Sequence, residues 1–118
     1  MAETQTLNWE QTLFQVILHA GNARSKAIES AELAQDGQFD QAEAAIAEAD
    51  AEQAEAHKVQ VRIIQMEAGG EQVPFSVLLI HSMDLLLLSW AEIDHTRQML
   101  ALCKRMSALE KEAKKWRK

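Results

Sequence analysis

The chain is predicted to be all-α, an antiparallel three-helix bundle, on three observations. Alanine, glutamate, glutamine and leucine dominate, and there is one proline and no tyrosine, a composition that favours helix. Apolar residues recur at alternating steps of three and four, the spacing of a helical seam. Two short stretches, Asp36-Gly37 and Ala68-Gly69-Gly70, break the pattern, and glycine just past a helix end is a stop signal. A length of 118 residues supports one domain with one modest core, 1–118.

The first helix is expected over about 9–35, after a loose leader from Met1 to about Asn8. Its seam reads Leu13, Ile17, Ala20, Arg24, Ala27, Ala31, Ala34. Gly21 in mid-helix costs about 1 kcal/mol against alanine, so a close helix neighbour is expected there. The second helix is expected over about 38–67, with the seam Phe39, Ala42, Ile46, Ala49, Gln53, Ala56, Gln60, Ile63. Gln53 and Gln60, if buried, need hydrogen-bond partners.

The third helix is expected over about 76–115, with Ser76 as its N-cap. It shows two seams. One reads Leu78, His81, Leu85, Leu88, Glu92, His95, Met99, Leu102, Met106, Leu109; the other reads Val77, Ile80, Asp84, Leu87, Ala91, Asp94. One seam suffices to meet two partner helices, so the second predicts self-association.

Charge and composition exclude several classes of function. A net charge of −6 disfavours broad binding to nucleic acid or anionic lipid. The basic cluster Lys111, Lys114, Lys115, Arg117, Lys118 reads as a solvated helix end whose cations suit the negative pole of the helix dipole. No apolar run approaches a membrane span and no signal peptide is visible, so the expected location is cytoplasmic. The single cysteine, Cys103, reads as a small core residue. No Cys-x-x-Cys, His-Glu-x-x-His or phosphate-binding glycine loop is present. His19, His57 and His95 read as structural.

His81 and Asp84 stand apart because the window Pro74–Leu88 is the most apolar in the chain. Three residues apart on a helix, they lie on neighbouring faces of one turn. An apolar setting favours neutral imidazole, whose free nitrogen makes it a nucleophile or a ligand. Copies of Asp84 converging at a symmetric interface must share protons or bind a cation through oxygen.

Three segments together carry a family resemblance: His19-Ala20-Gly21-Asn22-Ala23-Arg24-Ser25; Glu55-Ala56-His57-Lys58-Val59-Gln60 continuing to Glu67-Ala68-Gly69-Gly70; and Val77-Leu78-Leu79-Ile80-His81 with Asp84. In order and spacing the chain from about Trp9 to Leu109 resembles the lactose/cellobiose-type enzyme IIA of the phosphoenolpyruvate-dependent sugar phosphotransferase system. The resemblance implies a three-helix bundle that forms a homotrimer. It implies that His81 accepts a phosphoryl group from the phosphocarrier HPr and passes it to a cysteine of a sugar-specific enzyme IIB, in support of disaccharide uptake. It also implies that Asp84 lies near the trimer axis and holds a divalent cation such as magnesium. No nucleic acid and no membrane insertion are implied.

The family pattern around the histidine departs here at two places. Met83 stands where the family has glutamine, and Leu85 where it has a second histidine. Neither offers a donor to a phosphohistidine, which carries about two negative charges. The competing expectation is a non-transferring trimeric helical interaction or regulatory module, in which Met83 and Leu85 mark lost chemistry.

Overall fold

The computed structural model describes residues 8–117. Three helices follow one another: α1 Trp9–Gln35, α2 Phe39–Ala68 and α3 Val77–Lys115. Among the described residues there is no strand. Side-chain contacts fix the up-down-up order. His19 meets Glu52 and Lys26 meets Glu48, so α1 and α2 run in opposite directions. Gln53 meets Leu86 and Lys104 meets Glu43, so α2 and α3 do as well. α1 and α3 run parallel, with Arg24 beside Glu92 and Ala27 beside Thr96. The molecule is a rod of 79 × 21 × 19 Å.

Four of the six helix ends are fixed by local chemistry, while Gln38 at the start of α2 makes no side-chain cap bond. Asn8 caps α1, its side-chain oxygen accepting from the Gln11 amide at 3.1 Å. Gly37 adopts φ 79°, and the Gln38 amide returns to the Leu33 carbonyl at 2.9 Å, closing α1. Gly70 repeats the device at φ 95°, with the Glu71 amide on the Met66 carbonyl at 3.0 Å. Ser76 caps α3 as expected, accepting from the Leu79 amide at 3.0 Å.

The core is thin and rich in alanine. Ala23, Ala27, Ile46, Ala49 and Ile93 form its middle. Val16, Ala20, Ala56 and Leu86 form one end, with Trp90 and Leu85 against them. Ala34, Ala42 and Leu100 form the other, where Cys103 packs half-buried, in keeping with its reading as a small core residue. The α2 seam is the expected one, and buried Gln53 has its partners in α3.

Two expectations about α1 need correction. Its buried row is Leu13, Val16, Ala20, Ala23, Ala27, Ser30, Ala34, one step away from the predicted row in several places. Arg24 and Ala31 lie outside it because Ala23 and Ser30 take the inward positions. Nothing lies within 4 Å of a Cβ built on Gly21, so no helix approaches it in the single chain.

The larger correction concerns α3. Neither predicted seam supplies the buried row that faces α1 and α2, although Leu85 of the first packs against a core cluster and Glu92 meets Arg24. The inward row is Ser82, Leu86, Ser89, Ile93, Thr96, Leu100. Its hydroxyls need no water: Ser82 donates to the Leu79 carbonyl and Ser89 to the Leu86 carbonyl, both at 2.8 Å, and Thr96 donates to the Ala27 carbonyl at 3.2 Å. Satisfied hydroxyls bury at little cost, and their small size lets the helices close. The leucine-rich rows are thereby turned outward. Val77, Ile80, Leu87, Leu88, Met99, Leu102, Met106 and Leu109 are all exposed.

Candidate functional site

α3 presents both predicted site residues. His81 and Asp84 are exposed in the single chain, not buried as the apolar window suggested. The intervening Ser82 points inward, and its hydroxyl is committed to the Leu79 carbonyl. The imidazole thus stands on the outer surface one turn above the start of α3, where a docking protein has access to it.

The two departures from the family pattern occupy packing positions. Met83 turns toward α2, where the Gln60 side-chain amide donates to its sulfur at 3.6 Å. Leu85 turns toward the core cluster of Val16, Ala20 and Leu86. Neither residue competes for the outer surface that His81 occupies.

Asp84 lies on the outward face among Ile80, Leu87 and Leu88, all exposed. One carboxylate does not satisfy a magnesium or calcium ion, which takes six or more oxygens. Among the described residues no group of three or more His, Cys, Asp or Glu side chains is placed to hold a metal.

The other histidines have separate settings. His57 meets Trp90 edge to face, ring centroids 4.8 Å apart. His95 is exposed on α3. His19 lies in an open groove of about 540 Å³ between α1 and α2. There its Nδ1 meets Glu52 at 2.5 Å, while Asn22 donates to the other Glu52 oxygen at 3.2 Å. Lys26 bridges Glu48 and Glu29 in the same groove, and those hydrogen bonds and charges, Glu48 first, hold its ammonium above the usual lysine value. Glu55 is held below the usual carboxylate value by the hydrogen bond and charge of Lys58. The groove brings together two of the segments singled out in the sequence, His19–Ser25 and the start of Glu55–Gln60. Glu52, which holds His19, had no sequence signal, because it sits 33 positions away on another helix.

Among the described residues, no helix is long and apolar enough to cross a membrane. Comparison with known proteins gives a consistent family. The family model for "PTS system, Lactose/Cellobiose specific IIA subunit" matches residues 11–104. The oligo-beta-mannoside-specific EIIA component of Bacillus subtilis is 42% identical over 95 residues, covering 80% of this chain and 86% of that protein. The lactose-specific EIIA component of Lacticaseibacillus casei is 33% identical over 97 residues, covering 82% and 87%. The crystal structure of the cellobiose-specific enzyme IIA from Bacillus anthracis superposes with a TM-score of 0.84 at 38% identity, covering 87% of this chain and 94% of that one.

Proposed function

The chain belongs to the lactose/cellobiose-specific IIA subunits of the sugar phosphotransferase system, phosphocarriers in sugar uptake, and from that membership we propose that His81 is the residue that carries the phosphoryl group. The donor is the phosphocarrier HPr and the acceptor a cysteine of a sugar-specific enzyme IIB, supporting disaccharide uptake in the cytoplasm. The supporting observation is that His81 is the histidine of the resembling α3 segment and stands exposed on the outer surface, open to two successive partners.

The transfer is in-line. A ring nitrogen of neutral His81 attacks phosphorus while the donor's N–P bond breaks, and the donor imidazole leaves with its electron pair. In the second step the IIB thiolate attacks, a P–S bond forms, and the His81 nitrogen is released. Little covalent work falls to the protein, so positioning and charge stabilisation carry the rate. Ser82, Met83 and Leu85 are occupied in packing. The donors that neutralise the phosphoryl oxygens then come from the docked partner, a neighbouring copy or water.

The assembly belongs to the same proposal. The outward rows of α3 are apolar over a length that a lone soluble chain seldom exposes. Their mutual burial in a homotrimer brings three Asp84 carboxylates to the axis, where a divalent cation relieves their repulsion. The cation's role would be structural, and no step of the transfer depends on it.

The deciding experiment is incubation with phosphoenolpyruvate, enzyme I and HPr, read by intact mass. One phosphoryl group is gained by the wild type and none by His81→Ala. A wild type that gains nothing, or a gain that persists in His81→Ala, overturns the assignment.

A further inference from the structure

Charge is unevenly shared along the chain. From Lys104 to Lys118 it carries seven of the twelve Lys and Arg residues and two of the eighteen Asp and Glu, a net charge of +5. The rest carries five bases and sixteen acids, a net charge of −11. The overall −6 that disfavours anionic partners therefore hides one strongly basic end. That end lies past the matched family domain, which closes at residue 104, while α3 continues to Lys115.

The fold keeps the basic end apart from the acids. From Ala108 to Arg117 every residue is exposed, so these turns project from the bundle. Lys104 meets Glu43 at 2.7 Å and Lys115 meets Glu112 at 3.4 Å. Among the described residues Arg105, Lys111, Lys114 and Arg117 form no ion pair. The projecting turns run for about 15 Å, longer than the screening length of about 8 Å at physiological salt. Their tip can touch an anionic surface while the carboxylates of the bundle stay screened from it.

A solvated helix end accounts for the lysines but not for their neighbours. Leu109, Ala113 and Trp116 recur at steps of four and three and form one stripe. Leu109 is 68% and Trp116 80% exposed. Lys111, Lys114 and Lys115 fall on the side away from the stripe, and Arg105 and Arg117 border it. Tryptophan and leucine on one face with lysine and arginine on the other is the pattern of a helix that settles at the boundary between membrane and water. Tryptophan prefers the headgroup level, and arginine lays its stem along apolar surface while its charge stays with the phosphates. Nucleic acid answers the charge alone and leaves the stripe without a counterpart. The protein partners proposed above meet His81, about 45 Å back along α3.

We propose that the end of α3, the stripe Leu109–Trp116 with its bordering bases, is a reversible anchor for anionic lipid. The anchor draws its purpose from the family's part in sugar uptake and does not depend on the assignment of His81. Uptake takes place at a membrane, so a phosphocarrier held at the surface stays close to the transporter it supplies. The length of α3 keeps His81 clear of the lipid and open to its partners.

The full chain is sedimented with vesicles of phosphatidylcholine alone and of phosphatidylcholine mixed equally with phosphatidylglycerol. Binding to the mixed vesicles should be tighter by about tenfold or more and should weaken as salt is added. Lys111→Glu with Lys114→Glu should lose about tenfold of that binding, while Lys58→Glu with Arg62→Glu, the same change of charge on α2, should change it by less than about twofold. Tryptophan emission should shift to the blue on the mixed vesicles, and Trp116→Phe should remove the shift. Equal binding to both vesicles, equal loss in both charge variants, or no shift overturns the anchor. Preference for a DNA duplex over the mixed vesicles assigns the bases to nucleic acid and also overturns it. So does a smaller mass by light scattering for Lys111→Glu with Lys114→Glu, which assigns those lysines to contacts between copies. A chain that binds the mixed vesicles yet gains no phosphoryl group from HPr removes the assignment of His81 and leaves the anchor.

Discussion

The side-chain amide of Gln53 on α2 donates to the main-chain carbonyl of Leu86 on α3 at 3.2 Å. The Gln53 carbonyl oxygen shares the single Ser89 hydroxyl proton with the Leu86 carbonyl. This polar tie joins α2 to α3, and among the described residues no buried side-chain polar atom lacks a partner. Gln53→Met keeps the volume and loses both bonds. A loss of about 1–2 kcal/mol is expected, read as a lower urea midpoint with unchanged slope. Ser89 keeps its own bond to the Leu86 carbonyl, at 2.8 Å, and so is not orphaned.

Two glycines should respond in opposite senses. Gly21 is mid-helix with open space around it, so Gly21→Ala should stabilise a single chain by about 0.5–1 kcal/mol. Gly37 holds φ 79°, and Gly37→Ala should cost about 1 kcal/mol or more. Thermal melts of both variants check the pair. A loss at Gly21→Ala that grows with protein concentration would place a neighbouring copy against that spot.

The outward face of α3 makes a sharper demand. Leu87, 59% exposed, has little to do in one chain. Leu87→Glu should leave helix content unchanged by circular dichroism while reducing the mass seen by light scattering to one chain. Asp84→Leu should keep or strengthen the assembly and remove any bound cation, since it trades repelling carboxylates for apolar contact. Dissociation of Asp84→Leu would show instead that the carboxylate holds the copies together.

Acid should act on Glu55. Its carboxyl sits below the usual value because Lys58 bonds to it, at 2.7 Å. A depressed carboxyl adds stability above its unfolded pKa and loses it as pH falls through the folded one. Lys58→Ala should therefore move the Glu55 titration upward, a change visible by carboxyl-carbon NMR. The effect on global stability should be slight, because the pair is open to water.

How far the molecule was legible in its residues differs by helix. The punctuation was readable: Ser76, Gly37 and Gly70 act through local chemistry that no tertiary contact alters. The α2 seam was readable too, because Ile46, Ile63 and the alanines mark one face. α3 misled, since hydrophobicity ranks leucine above serine, while the inward row needed Ser82, Ser89 and Thr96 for close approach. A chain that hides its hydroxyls and displays its leucines signals that the leucines have another surface to meet. The place of His81 in the chain came from its resemblance to a family; its exposure came only from the three-dimensional arrangement.

A core built around Ala20, Ala23, Ala27, Ala42, Ala49 and Ala56 offers each chain little apolar area to withdraw from water. Much of the remaining area lies on the outside of α3. In the proposed trimer, folding and association draw on the same free energy, and the melting temperature should rise as the chains are concentrated. Dilution should do to this protein what mild denaturant does to one with a full interior.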